Sequence, residues 1–221
     1  KQVVFQCFCL DLLLSAVDSI LYKGVQMRLR MLGKQISVKR QCFSMNIQET
    51  TSADLDSILL VERAAFSTDN EAELTRNLLA DPSAQPLISL LAFVEGQPAG
   101  HILFTKARLS GAPEIAVSIL APLAVVPNFQ KQGVGGCLIK RGLELLFGDN
   151  VDLVFVIGWP NYYPRYGFTA AGKLGFEPPF PVPEKDADAW MVQALRANII
   201  GKVSGKVICC DTLNKPEFWR E

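Results

Sequence analysis

The sequence predicts an α/β (α+β) fold, a mixed and mostly antiparallel central sheet flanked by helices. Two apolar stripes at helical spacing come early: Leu55, Ile58, Leu59, Ala65 and Phe66, then Leu74, Leu78 and Leu79. Three strand-like runs come after them at residues 87–95, 99–108 and 115–126, separated by short turns that contain Gly and Pro. The third run is cut by Pro127, and a helical pattern resumes at Leu138, Ile139, Leu143, Leu145 and Leu146, which makes a strand-turn-helix unit.

Composition narrows the function before any motif does. The chain of 221 residues has room for one domain with its own core and an extra segment. Lys plus Arg and Asp plus Glu are both 22, so no overall field draws the protein toward nucleic acid, and no nucleic-acid partner is expected. Six cysteines (Cys7, Cys9, Cys42, Cys137, Cys209, Cys210) form no Cys-x-x-Cys pair, and His101 is the one histidine. Neither a metal site nor a disulfide framework is expected, and a reducing, cytoplasmic setting is the plainer reading. Cys137, beside Leu138 and Ile139, is read as core filling.

Residues 1–44 do not share the pattern of the rest of the chain. The apolar run at 3–14 is broken by Gln6 and Asp11 and is too short for a membrane span, which needs about 20 residues. Lys23, Arg28, Arg30, Lys34, Lys39 and Arg40 come next, the reverse order of a secretory signal. The first residue is Lys1, and Met45 is a natural start. Residues 1–44 are therefore expected to be an upstream or poorly structured extension, with an organelle-targeting segment or an amphipathic surface helix as alternatives. Residues 45–200 are expected to form the domain and 201–221 a tail.

Within the domain, Met45 opens a first edge strand. Thr51 or Ser52 caps the first helix, with Asp54 near its positive end, and Asn70 with Glu73 reads as a capping box for the second. Asp81-Pro82 ends that helix. The turn Gly96-Gln97-Pro98 joins the first two strands of the central set. The third is nearly all apolar, as a strand covered on both faces should be, and Pro122 inside it cannot donate to a ladder, so a bulge or splay is expected there. The next helix begins near Gln132 or Gly133 and ends at Gly148. Residues 151–157 read as another buried strand, and 174–177 with 189–195 as a closing pair. In the tail, 202–210 is a candidate edge strand, with Phe218 and Trp219 packing back on the domain.

The turn before the third helix carries Gln130-x-x-Gly133-x-Gly135. Glycines there let the backbone approach a ligand, and the unpaired N–H groups of a first helical turn suit a pyrophosphate. A Walker loop is absent, and Gly133, Gly135 and Gly136 do not fit a Rossmann fingerprint. The longer string, Val126-Pro127-x-x-Gln130-x-x-Gly133-x-Gly135, resembles the acetyl-CoA signature of the GNAT superfamily of N-acetyltransferases. A second stretch, Pro160-x-Tyr162-Tyr163-x-Arg165-Tyr166-Gly167-Phe168, is similar to the ending seen in one bacterial branch of that superfamily.

The resemblance implies a GNAT-like sheet splayed at the cofactor site, with acetyl-CoA as cosubstrate. Pantetheine then pairs with the backbone of Leu123, Ala124 and Val125, and the turn formed by Gln130, Lys131, Gln132, Gly133, Val134, Gly135 and Gly136 holds the pyrophosphate. It places the oxyanion on a backbone N–H near Leu123 and the general acid at Tyr163, four residues before Gly167. A phenol with a pKa of about 10 is protonated at neutral pH and can donate to a thiolate. Tyr162 and Tyr166 read as packing aromatics. The base is open: His101, read as heading its strand, Glu114 and an ordered water near Ser118 are the candidates. The expected activity is acetyl transfer to a primary amine, on a small molecule or a protein, by direct attack through a tetrahedral intermediate. A non-catalytic acyl-CoA-binding sensor or subunit is the alternative. A monomer or homodimer without a membrane span is expected.

Overall fold

The structure is a computed structural model that describes residues 44–219. The expectations for residues 1–43 lie outside the described residues. Strand β1 (Met45–Glu49) leads to Thr51, whose side chain and that of Asp54 cap each other's backbone and start a single 3-10 turn. That turn runs into α1 (Leu55–Phe66), which ends at Ser67 in a left-handed conformation. Helix α2 (Asn70–Ala80) starts without the expected capping box. Asn70 is already helical, and the side chain of Asp69 before it accepts from Arg63 Nε at 2.7 Å.

Strands β2 (Ile88–Val94) and β3 (Gln97–Leu109) meet through Glu95 and Gly96, both with positive φ. The turn is thus two residues long and lies one position earlier than the Gly-Gln-Pro reading, as the twist of a tight hairpin favours. Pro98 is inside β3, where the ladder shifts between Ala92 and Phe93. Strand β4 (Val117–Val125) pairs antiparallel with β3 and parallel with β5 (Leu153–Ile157). Between them, α3 (Val134–Gly148) covers one face of the sheet. Gly148 is the last helical residue, and the left-handed position falls at Asn150.

The closing strands differ from the expected pair. Strand β8 (Trp190–Ala194) lies beside β5, but its other neighbour is the short β6 (Thr169–Ala170). Residues Phe176–Glu177 form β7, which runs parallel to β9 (Gly205–Ile208) instead. Gly175, with φ of 85°, turns the chain away before it can return along β8. The main order is β1-β2-β3-β4-β5-β8-β6, mixed and mostly antiparallel. Strand β9 also pairs with the end of β3, and Leu213 and Trp219 are buried beyond it. Burial in two apolar layers holds the sheet: Leu74 and Leu78 of α2 pack on one side, and Val134, Leu138 and Ile139 of α3 on the other.

Candidate active site

The sheet parts in its middle. Strand β4 pairs with β5 from Val117 to Leu120 and no further, although β4 runs on to Val125. On the β3 side, Ile102 faces Leu123 and Phe104 faces Leu120, so β4 carries one extra residue at Ala121 and Pro122. This is a bulge at the proline. Backbone groups of β4 after Leu120 therefore have no ladder partner on the β5 side.

The turn after β4 is held from within. Pro127–Phe129 forms a 3-10 turn, and Gln130 Nε2 donates to Val125 O at 3.0 Å, while Gln132 Nε2 donates to Asn128 O at 2.8 Å. Lys131 and Gly133 both have positive φ, 62° and 87°. Gly133 is the N-cap of α3 and has no side chain to cap the first-turn N–H groups of the helix. A Cβ on Gly133 would meet nothing within 4 Å. Val134, Gly135 and Gly136 are buried. A Cβ on Gly135 would lie 2.6 Å from the Tyr162 hydroxyl, and one on Gly136 2.5 Å from that of Tyr166. The missing side chains at 135 and 136 thus admit two tyrosines, and the open position is Gly133.

Tyr163 begins the 3-10 turn Tyr163–Tyr166 and is 5% exposed. Its ring packs edge-on against Tyr162 and Phe168, and a Cβ on Gly158 would lie 2.5 Å from it. It belongs to the same apolar cluster as Leu123 and Val125, on the α3 side of the sheet. Sequence reasoning put Tyr163, Leu123 and Val125 together, and the structure places them in one cluster.

Among the base candidates, Glu114 is exposed in the loop before β4, at the end of that strand remote from residues 121–125. Ser118 Oγ donates to Thr105 O at 3.0 Å. His101 does not head its strand: it is the fifth residue of β3, fully buried, opposite Leu91 and Ala124. Its Nδ1 lies 2.5 Å from Glu62 Oε1 and its Nε2 3.0 Å from Ser89 Oγ, which accepts from Thr50 Oγ1 at 2.6 Å. Burial raises the pKa of Glu62; hydrogen bonding to His101 opposes the rise and the charge of Glu71 adds to it. Sequence reasoning missed Glu62, yet it falls on the apolar stripe of α1, four residues after Ile58 and four before Phe66. A carboxylate in such a stripe is the available signal.

The thiols of the C-terminal segment are held protonated. Burial, with Cys210 next to it, pushes Cys209 up to about 12, and burial raises Cys210 as well. Among the described residues, no group of three His, Cys, Asp or Glu is arranged to hold a metal ion, and no helix is long and apolar enough to cross a membrane.

Comparison with known proteins agrees with this architecture. The profile of the Acetyltransferase (GNAT) family matches residues 53–170. The uncharacterized N-acetyltransferase YjhQ of Escherichia coli is 44% identical over 164 residues, 73% of this chain and 90% of YjhQ. The uncharacterized N-acetyltransferase YhbS of the same organism is 29% identical over 74% of this chain and 95% of its own length. The crystal structure of YhbS with CoA superposes with a TM-score of 0.70 at 26% identity, over 77% of this chain and 92% of that one. A GNAT acetyltransferase from Brucella melitensis with acetyl-CoA gives 0.60 at 27% identity, over 76% and 97%. With a family profile across its helices and sheet and a relative at this identity, the chain belongs to the GNAT acetyltransferase family and is an acyltransferase.

Proposed function

We propose that this protein transfers an acetyl group from acetyl-CoA to a primary amine by direct attack, through a tetrahedral intermediate. The observation that carries the reading is the parting of β4 from β5 after Leu120, which leaves the β5-side edge of residues 121–125 without a ladder partner, leading to the N-terminus of α3 at Gly133. The bound ligands of the YhbS and Brucella structures, CoA and acetyl-CoA, support acetyl-CoA as the donor. A pantetheine amide fits along Leu123, Ala124 and Val125 on the edge of β4 that β5 leaves, beside the Val125 O that Gln130 Nε2 already holds. The turn Gln130, Lys131, Gln132, Gly133, Val134, Gly135 and Gly136 fits the pyrophosphate, whose charge favours the positive end of α3. Gln130 acts indirectly, by tying the turn to Val125 O.

In the chemical step, the residues near Leu123 supply the N–H that stabilises the oxyanion, and Tyr163 supplies the proton that the leaving thiolate needs. The acceptor is a small-molecule or protein amine, and the lack of paired cysteine motifs supports a cytoplasmic setting. The non-catalytic acyl-CoA-binding reading gains nothing from these observations.

The test is thiol release from acetyl-CoA against a panel of amines and peptides, followed by Tyr163→Phe. The ring contacts survive this change, so the protein should stay folded while kcat falls about 100-fold or more. Tyr163→Phe at full rate across pH would remove Tyr163 as the acid. Absence of thiol release with every amine would overturn the transferase reading.

A further inference from the structure

The four residues Thr50, just after β1, Ser89 on β2, His101 on β3 and Glu62 on α1 form one hydrogen-bonded chain. Thr50 Oγ1 donates to Ser89 Oγ. With the Ser89 proton directed at His101 Nε2, the imidazole proton sits on Nδ1 and is donated to Glu62 Oε1. Every link points at the carboxylate. Glu62 Oε2, equally buried, has no partner among the described residues. A purely structural pair would be expected to use both oxygens.

The location of this oxygen matters. His101 faces Ala124 across the ladder, and Ala124 packs with Ile58 and Val61 of α1 and with Leu91. Glu62 and His101 therefore lie behind the 121–125 segment on the α1 face, whereas Tyr163 approaches the same segment from the α3 face. We propose that Glu62 is the proton acceptor of the transfer, with His101, Ser89 and Thr50 as positioning residues that hold Oε1 and leave Oε2 for the acceptor amine. The proposal rests on the transferase reading above. As the amine lone pair forms the C–N bond, Oε2 takes the N–H proton. The electron pair displaced onto the carbonyl oxygen returns, the C–S bond breaks, and the thiolate takes the phenolic proton of Tyr163. The products are an amide and CoA thiol. Both residues then return to their starting protonation states by proton exchange with water. Burial of Glu62 makes it a stronger base than an exposed carboxylate.

The experiment compares the parent with Glu62→Gln by thiol release, acetyl-CoA titration and melting. Glu62→Gln should lower kcat about 100-fold or more while the affinity for acetyl-CoA stays within about threefold. A second variant uses pH. The titratable groups that act on Glu62 are His101 on β3 and Glu71 on α2. Glu71→Gln removes a neighbouring negative charge, so the acidic limb of kcat/KM should move to lower pH, which a limb set by the free amine cannot do. A folded Glu62→Gln protein with parental turnover overturns the assignment. Should Glu62→Gln fail to fold, an acidic limb unmoved by Glu71→Gln overturns it equally. A parent that releases no thiol with any amine overturns the transferase reading itself, so the two failures are distinct.

Discussion

Gly133 offers the sharpest test of the proposed pyrophosphate site, because two effects there separate cleanly. Its φ of 87° belongs to the left-handed region, and a Cβ would meet nothing within 4 Å. Any non-glycine residue at 133 therefore adds strain of about 1–2 kcal/mol without a clash. That strain is present with and without ligand, so it lowers the melting temperature by roughly 2–8 °C but cancels in binding. Gly133→Ala should show this alone, with acetyl-CoA affinity within about threefold of the parent. Gly133→Glu adds a carboxylate. At about 6 Å from a phosphate, with an effective dielectric of about 20–80, each charge pair costs about 0.7–3 kcal/mol. Two phosphate charges then weaken binding by at least about tenfold, since 1.4 kcal/mol is a factor of ten. Thermal melting of the three proteins reads the strain, and calorimetric titration of acetyl-CoA reads the charge. Equal affinities for Gly133→Glu and Gly133→Ala would refute the placement of the pyrophosphate at this turn.

Two further predictions concern what holds the site in place. Gly142→Ala in α3 would drive a Cβ into Cε2 of the fully buried Phe104, so the gain in helix propensity, about 1 kcal/mol, is outweighed by overpacking of about 1–3 kcal/mol. A net loss of up to about 2 kcal/mol in urea unfolding is expected, and a stabilised variant would show that the Phe104 ring yields freely. Asp81 accepts from Ser83 N and Oγ and from Thr212 N at 2.8, 2.6 and 2.9 Å, tying the C-terminal segment to the end of α2. Burial works against its ionisation, but the hydrogen bonds of Ser83 and Thr212 outweigh it and hold the carboxyl well below its usual range. A depressed folded pKa means that this stabilisation is complete above the unfolded value, about 3.9, and is lost as pH falls below it. Asp81→Asn should cost about 1–2 kcal/mol at pH 7, with the gap to the parent closing below about pH 4. A gap independent of pH would contradict the argument.

How much of this was written in the sequence depends on range. Pro122 and Gly133 were legible because their effects are local: one removes a ladder donor and the other takes a φ that side chains avoid. The strand-turn-helix unit and the Gly-Phe ending were equally plain. The closing strands were not, because β7 leaves β8 for β9, and pairing partners separated by some 30 residues leave no trace in local pattern. Gly135 and Gly136 read as room for a ligand, whereas the atoms nearest them are the hydroxyls of Tyr162 and Tyr166, from a loop whose approach no periodicity reveals. His101 was visible as a lone histidine, but its partner Glu62 is 39 residues away. Only its position among apolar residues of α1 betrayed it.

The extra residue in β4 links these features. Side chains alternate across a sheet with a period of two, so Leu120 and Leu123 would ordinarily face opposite ways. Both belong to the cluster on the α3 side, because β4 spends two residues, Ala121 and Pro122, where β3 spends only Leu103. The bulge resets the alternation. After it, Leu123 and Val125 turn toward α3 and the ring of Tyr163, and Ala124 turns toward α1, opposite His101. Ala124 is small, which lets the His101–Glu62 pair lie close behind the strand. Pairing with β5 ends just before the same two residues. One local irregularity at Pro122 thus opens the backbone strip proposed for pantetheine and sets the proposed proton donor and proton acceptor on its two faces. In a regular β4 the strand would stay in its ladder, and Leu123 would point at the face where Glu62 lies.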